Sequence, residues 1–235
     1  EDARASVRHA DDIPTGKVVF GIPHSISQAL ALAVLRGGRQ HLPQVELELT
    51  EELTGNLTRQ LRNGLLNLAV LFDDGQTAEF VHQALVTERL CLIGLPPGGR
   101  TRVPVSITLR KALGLPLILP ASPHGVRPII EAVARQRGYP APRVVADISS
   151  ISILRTALLA GMGQTLLPVM PLRADIEAGR LQAVPVVTPV LARQVVLCAP
   201  RHIPQSGAAA AVARLTVQLA HDLCARDEWQ GAVAA

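Results

Sequence analysis

Residues 17–72 constrain the fold more than any other part of this sequence. They begin with a short run of β-branched and aromatic residues, KVVFG, and apolar residues then recur at helical spacing from Leu30 until Pro43. Residues 45–49 alternate apolar and acidic side chains, which is typical of a half-buried strand. A helix-forming segment, LTGNLTRQLRNG, and a nearly all-apolar strand, NLAVLF, follow. This order predicts a β-α-β-α-β unit with parallel strands.

Polar side chains lie where these predicted strands meet their helices. Parallel strands joined by helices bring every strand-to-helix turn to one edge of the sheet, and ligands of open α/β sheets bind there. The edge holds Ser25, Ser27 and Thr54, with Phe72 at the end of the third strand. Because a hydroxyl at a helix start either caps free N–H groups or binds a ligand beside them, both roles are open for Ser27.

The composition describes a globular chain that can bury a large core. Its 235 residues are 48% hydrophobic, which allows one large or two small domains. The apolar runs are too short to span a bilayer, and the first residues, EDARASVRHADD, contain no apolar segment of the kind used for export. Cys91, Cys198 and Cys224 lack metal-ligand spacing and leave one thiol unpaired, so we expect reduced, buried thiols and a cytoplasmic location.

Charge and aromatic content argue against nucleic-acid binding by this segment. The formal net charge of +4 comes from 23 basic and 19 acidic residues, and the basic residues are scattered singly. Aromatic residues make up 2% of the chain, too few to build a surface on which bases stack. A small polar or anionic ligand suits this inventory better.

No motif of enzyme chemistry is found. The sequence lacks a nucleophile elbow, a P-loop and a His/Cys cluster with metal spacing. The segment GMGQTL lacks the third glycine of a dinucleotide-binding turn and opens a strand rather than a helix. We therefore predict no catalytic residue, metal or cofactor.

The rest of the chain repeats the α/β pattern. Residues 1–16 are charged and predict a linker, and the Pro/Gly-rich region around 96–104 marks a change in composition. Beyond it the pattern predicts alternating helices and strands, including a helix, tight turn and strand in ISSISILRTALLAGMGQTLLP. A last helix spans about 206–226, and the tail WQGAVAA is expected to be loose.

Several stretches resemble the effector-binding region of LysR-type transcriptional regulators. They are GKVVFGIPHSIS, QVELELTEELTGNLTRQLRNGLLNLAVLF and, most specifically, ISSISILRTALLAGMGQTLLP. The resemblance covers residues 16–223. Within that family, LPASPHGVR, IEAV and ISSISIL are most similar to the nitrogen-assimilation-control branch.

The resemblance implies an α/β, two-lobed type 2 periplasmic-binding-protein-like fold, with two Rossmann-like subdomains joined by crossover strands. Lobe I would comprise residues 17–91 and 197–235, and lobe II residues 92–196. The chain would leave lobe I near residues 90–95 and return near 194–199.

The same resemblance implies a ligand cleft between the lobes. Lobe I would contribute Ser25, Ser27, Thr54 and Phe72, the last of which argues against a strongly anionic ligand. Lobe II would contribute five residues, namely Ser122, His124, Arg127, Ser149 and Ser150. Four of them have simpler alternatives. His124 could be a solvated surface group, Arg127 could pair with a nearby acid, and one of the two serines could cap the next helix.

The implied function is ligand sensing by a regulator that does not contact DNA through these residues. Family members carry an N-terminal winged helix-turn-helix and a linker helix, and neither is in this sequence. We expect a homodimer, and a homotetramer for the longer protein, with contacts through the small residues of the first helix. The alternatives are a solute-binding protein of a transport system and, third, a small α/β enzyme.

Overall fold

The first third of the chain forms the predicted β-α-β-α-β unit. The computed structural model describes residues 13–73, 77–98, 103–121 and 125–235. β1 pairs in parallel with both β2 and β3, which confirms the prediction. The elements are β1 (Gly16–Pro23), α1 (His24–His41), β2 (Val45–Glu52), α2 (Thr54–Arg62) and β3 (Leu68–Phe72).

Burial follows the sequence pattern of these strands. All five residues of β3 are buried, as expected of a central strand. In β2 the apolar residues of 45–49 are half-buried and the two glutamates are exposed. Gly21 in β1 permits close packing of α2, because an added Cβ would lie 2.6 Å from Leu57 Cδ2 and 2.8 Å from Leu66 Cδ1.

The remaining elements continue the alternation of strands and helices. In chain order they are β4 (Phe80–Arg89), β5 (Cys91–Gly94), β6 (Ile107–Thr108), α3 (Leu109–Leu113), β7 (Leu117–Leu119), α4 (Arg127–Gln136), β8 (Val144–Asp147), α5 (Ile151–Leu159), β9 (Thr165–Leu167), α6 (Arg173–Glu177), β10 (Gln182–Val187), β11 (Ala192–Pro200), α7 (Gly207–Ala225) and β12 (Ala232–Ala234).

Two separate groups of strands divide the molecule. The first sheet has six strands in the order β12-β4-β11-β3-β1-β2. The second group contains a sheet ordered β6-β10-β5-β9 and a parallel pair, β7-β8, which a bridge between Leu117 and Gln164 connects to it. The second group has its own hydrophobic core, distinct from the cores of the first sheet. This is the predicted two-lobed α/β fold.

The chain passes between the sheets at two adjacent points. It leaves the first sheet at Leu90, within the predicted range, and it returns between Val187 and Ala192. The Leu90 N–H donates to Leu191 O at 2.9 Å, so the two passages lie side by side.

The predicted return at residues 194–199 was wrong. All of β11 pairs with β4 in the first sheet, and the predicted boundary between 196 and 197 falls inside this strand. The sequence ARQVVLCAP marks a buried strand, but it does not say which sheet supplies the pairing partner. The rest of the predicted division into lobes stays a prediction.

The expectation of a loose C-terminal tail was also wrong. Trp229 is fully buried, and β12 pairs with β4 so that Ala232 lies opposite Glu88. The tail has too few residues to show a periodic pattern, and its order depends on an edge strand far away in the sequence. Among the described residues, no helix combines the length and the apolar character needed to cross a bilayer.

Candidate ligand-binding cleft

A cavity of about 50 Å³ lies between the two groups of strands. Residues from both lobes line it. The first lobe, built on the six-stranded sheet, contributes Pro23, His24, Ser25, Glu52, Leu53, Thr54, Phe72 and Arg193. The second lobe, built on the other strand group, contributes Pro120, Gly125, Val126, Ile148, Ser149, Ile151, Leu154 and Leu167. A mostly apolar lining with a few polar groups is typical of small-molecule sites, but the volume is far below the roughly 300–1,000 Å³ of such sites, so a ligand has to move the walls apart from this arrangement.

Two helix starts form part of the first wall, which is the side of the cavity that the first lobe contributes. α1 follows Pro23 and α2 follows Leu53, and neither of these side chains carries an oxygen that could cap a helix. The first N–H groups of a helix have no partner within the helix and carry partial positive charge. The first wall therefore offers backbone donors beside the hydroxyl-bearing residues Ser25 and Thr54.

Arg193 belongs to the same wall and was not among the predicted site residues. Its Nε and one Nη are each 2.7 Å from Glu88 Oε2, and an Nη donates to Ser25 Oγ at 3.0 Å. Its guanidinium carbon lies 4.0 Å from the centre of the Phe72 ring, an arrangement that permits a cation–π interaction. Burial lowers the pKa of Arg193, and the neighbouring carboxylate of Glu88 opposes that effect.

Glu88 connects this arginine to the C-terminal tail. Its Oε1 accepts a hydrogen bond of 2.8 Å from Trp229 Nε1, and both side chains are fully buried. The sequence did contain a signal, because Glu88 and Arg193 lie within two stretches that are mostly apolar, LVTERLCL and ARQVVLCAP. Opposite charges in two buried strands favour a pair.

In the second wall, which the second lobe contributes, serine hydroxyls accept hydrogen bonds from the backbone. Ser149 Oγ accepts a hydrogen bond of 3.2 Å from the Ala121 N–H, and Ser149 lines the cavity. Ser150 is the N-cap of α5, and its hydroxyl accepts from the Ile153 N–H at 3.4 Å. The expectation that one of the two serines caps this helix is confirmed.

The structure brings four of the predicted site residues to the cavity. They are Ser25, Thr54, Phe72 and Ser149. Ser27, Arg127 and Ser150 are not among the lining residues. Ser122 and His124 lie outside the described residues.

Ser27 does not cap α1, so the capping alternative was wrong. The helix begins at His24, three residues earlier, which places Ser27 in its first turn. Ser27 Oγ donates to Glu51 Oε1 at 2.6 Å and lies 3.1 Å from His24 O. Since the strand before it extends to Pro23, the helix starts earlier than the apolar spacing alone indicates.

Arg127 takes the salt-bridge role that the sequence left open. Its Nε donates to Glu131 Oε1 at 2.7 Å, and its other side pairs with Asp147. The hydrogen bond with Glu131 is the main reason that the pKa of Arg127 is raised. Its donors are thus engaged by two carboxylates, away from the cavity.

The three cysteines are free, and burial raises the pKa of each thiol. The pKa of Cys198 rises to about 12. Cys91 lies in the second sheet and Cys198 in the first, in different core clusters. Among the described residues, no group of His, Cys, Asp and Glu side chains could hold a metal ion.

Comparison with known proteins identifies the family. The LysR substrate binding domain matches residues 12–220. This chain belongs to that family. The predicted resemblance to LysR-type regulators is therefore confirmed.

Two relatives cover most of this chain, and the second of them bears out the predicted branch. The HTH-type transcriptional regulator BbuR of Bordetella bronchiseptica is 31% identical over 187 residues, covering 78% of this chain and 57% of the relative. The nitrogen assimilation regulatory protein nac of Klebsiella aerogenes is 30% identical over 171 residues, covering 72% and 54%. The chain thus spans little more than half the length of these relatives.

A solved structure shares the fold. The effector binding domain of QuiR, in complex with shikimate, superposes with a TM-score of 0.77 at 12% identity, covering 88% of this chain and 98% of that domain. At this identity the likeness supports the two-lobed architecture and says nothing about the ligand of this chain.

Proposed function

We propose that this chain is the effector-binding part of a LysR-type transcriptional regulator, and that it binds a small molecule in the cavity between its two lobes. The cavity carries the proposal because residues of both lobes line it. A ligand that touches both walls binds a closed arrangement more tightly than an open one, and this differential affinity shifts the population between them. The two strand groups are taken as the lobes.

Regulation would reach DNA through another part of a longer cytoplasmic protein. We propose a winged helix-turn-helix for that part, together with a homodimer of this domain and a homotetramer of the longer protein. The exposed side of α1 supports self-association, since Leu32 is 56% and Leu35 46% exposed beside several alanines and glycines. The names of the relatives, which are regulators, do not favour the transport alternative.

The test begins with a thermal-shift screen and continues with titration calorimetry of each hit. Thr54→Val removes a hydroxyl from the first wall and Ser149→Ala removes one from the second. A hydrogen bond contributes about 1 kcal/mol, so each variant is expected to weaken the hit about fivefold. Binding that neither variant changes would contradict the proposed site.

Thr58→Val is the matched control. Thr58 lies on the same helix as Thr54, and its hydroxyl donates to Thr54 O at 2.9 Å rather than lining the cavity. We expect this variant to bind the hit as tightly as the wild type. A loss equal to that of Thr54→Val would mean that α2 is disturbed as a whole.

A further inference from the structure

The positive charge nearest the cavity is already compensated inside the protein. Arg193 lines the cavity, but two of its nitrogens contact one oxygen of Glu88 and the Phe72 ring covers its face. Glu88 is 0% exposed, so its charge is not screened by water. A carboxylate on a ligand that approached Arg193 would therefore meet the field of Glu88 as well, in surroundings where charges interact strongly.

The mouth of the cavity adds more negative charge. Glu52 lines it, and Glu51 lies beside His24, with 3.2 Å between Glu51 Oε1 and His24 Nδ1. Glu52 lines the cavity, and Glu51 and Glu88 pair with the lining residues His24 and Arg193. Among the described residues, three carboxylates thus lie close to a single lining arginine. This balance of side-chain charges opposes the partial positive charge of the two helix starts and disfavours an anion.

The remaining lining still provides donors for oxygen atoms. The uncapped starts of α1 and α2 present backbone N–H groups, and the walls carry hydroxyls at Ser25 and Ser149. Most of the other lining residues are apolar. Hydroxyl and carbonyl oxygens can accept these hydrogen bonds without bringing a charge that would have to lose its water.

We infer that Glu88 sets the charge preference of the cleft, and that the ligand is an uncharged, partly apolar molecule that carries hydroxyl or carbonyl oxygens. This inference rests on the proposed function. Glu88 acts through Arg193 rather than by touching the ligand, so it is a positioning residue that determines specificity.

Matched pairs of a carboxylate and its primary amide test the inference. Benzoate with benzamide and cyclohexanecarboxylate with cyclohexanecarboxamide are suitable probes, and ligand-observed NMR measures their dissociation constants. The wild type is expected to bind each amide at least about tenfold more tightly than the acid. Glu88→Gln is expected to shift this ratio toward the acid by at least about tenfold, because it leaves the charge of Arg193 uncompensated.

Two further variants keep the test decisive. Glu52→Gln removes a charge at the mouth without disturbing the buried pair, so it is expected to shift the ratio in the same direction even if Glu88→Gln folds poorly. Glu46→Gln is the matched control, since Glu46 lies toward the other end of β2 and its side chain is 75% exposed. It is expected to leave the ratio unchanged.

The outcomes separate this inference from the proposed function. Tighter binding of the acids to the wild type would overturn the inference, and so would an unchanged ratio in a folded Glu88→Gln or, where that variant does not fold, in Glu52→Gln. If such binding still weakens in Thr54→Val and Ser149→Ala, the proposed site stands without the inference. If neither of those variants weakens it, the proposed site fails as well.

Discussion

Two arginine clusters flank the cavity, and they differ in their access to water. At the first wall, the side chains of Arg193 and Glu88 are 1% and 0% exposed. Beside the second wall, Arg127 is 18% exposed and its partners Glu131 and Asp147 are 35% and 55% exposed. Both clusters join an arginine to carboxylates. Only in the first are the charges shielded from water, so that protein groups alone compensate them.

This difference changes what each pair contributes. Removing one partner of a buried pair leaves a charge that neither water nor protein compensates, which costs several kcal/mol. An exposed pair contributes little, because water replaces the lost partner. The first cluster therefore supports the wall of the cleft, whereas the second cluster is a local feature of α4 and β8.

The largest effect is expected for Glu88→Gln. The variant keeps the shape of the side chain but leaves Arg193 buried without its counter-charge, so the free energy of unfolding should fall by about 3–5 kcal/mol. Urea denaturation followed by circular dichroism measures it. Glu79→Gln, which removes a charge from an exposed pair with Arg62, is the control and should change stability little. Equal losses in the two variants would remove the contrast between buried and exposed pairs.

A smaller loss is expected for Trp229→Phe. The phenyl ring retains most of the buried apolar surface but cannot donate to Glu88 Oε1, and an unsatisfied buried acceptor costs about 1–3 kcal/mol. The same denaturation experiment measures this change. Combining it with Glu88→Gln should cost less than the sum of the two single changes, because both disturb one hydrogen bond. Strict additivity would show that the tail and Arg193 are not coupled.

Asp175 offers an intermediate case, with a buried carboxylate and exposed partners. Its side chain is 3% exposed, while those of Arg155 and Arg180 are 45% and 50% exposed. The hydrogen bond from Arg155 is the largest cause that lowers the pKa of Asp175. A carboxyl with a lowered native pKa stabilises the protein above its unfolded pKa of about 3.9, and the contribution is lost as the pH falls through the native pKa.

We therefore expect Asp175→Asn to be less stable than the wild type near neutral pH, by less than Glu88→Gln. The difference should shrink as the pH falls below about 4. Urea denaturation at a series of pH values measures it. A difference that stays constant down to pH 2 would show that the charge of Asp175 is not its cause.

The smallest effect is expected for Arg127→Ala. Water can reach both carboxylates that it leaves behind, so the free energy of unfolding should fall by about 1 kcal/mol or less. Binding of a cleft ligand should not change, since Arg127 does not line the cavity. Calorimetry on the same hit decides the point, and a tenfold weaker ligand would return Arg127 to the site.

The sequence predicted the elements of the first wall better than the contacts that hold it. Local patterns were enough for β1 to β3 and for the order of the helices between them, although α1 begins three residues before Ser27. Arg193, Glu88 and Trp229 were missed because they come from strands and a tail far apart in the chain. A pattern within one strand reports burial, but it does not identify the strand that pairs with it.

The same limit applies to Arg127 and Ser27, for each of which the sequence left two roles open. Position beside a helix start favoured ligand contact or capping at these residues, but their partners Asp147 and Glu51 come from neighbouring strands. Sequence spacing within one helix contains no information about those strands. Side-chain pairing across the sheet therefore had to come from the structure.

The central claim is that one ligand contacts both lobes at once. Titration of a screening hit into ¹⁵N-labelled protein, followed by backbone amide chemical shifts, tests it most directly. We predict saturating shifts with one dissociation constant for the amides of Ser25 and Thr54 on the first wall and of Ser149 and Ile151 on the second. Shifts confined to one wall, or to a surface away from the cavity, would contradict the account.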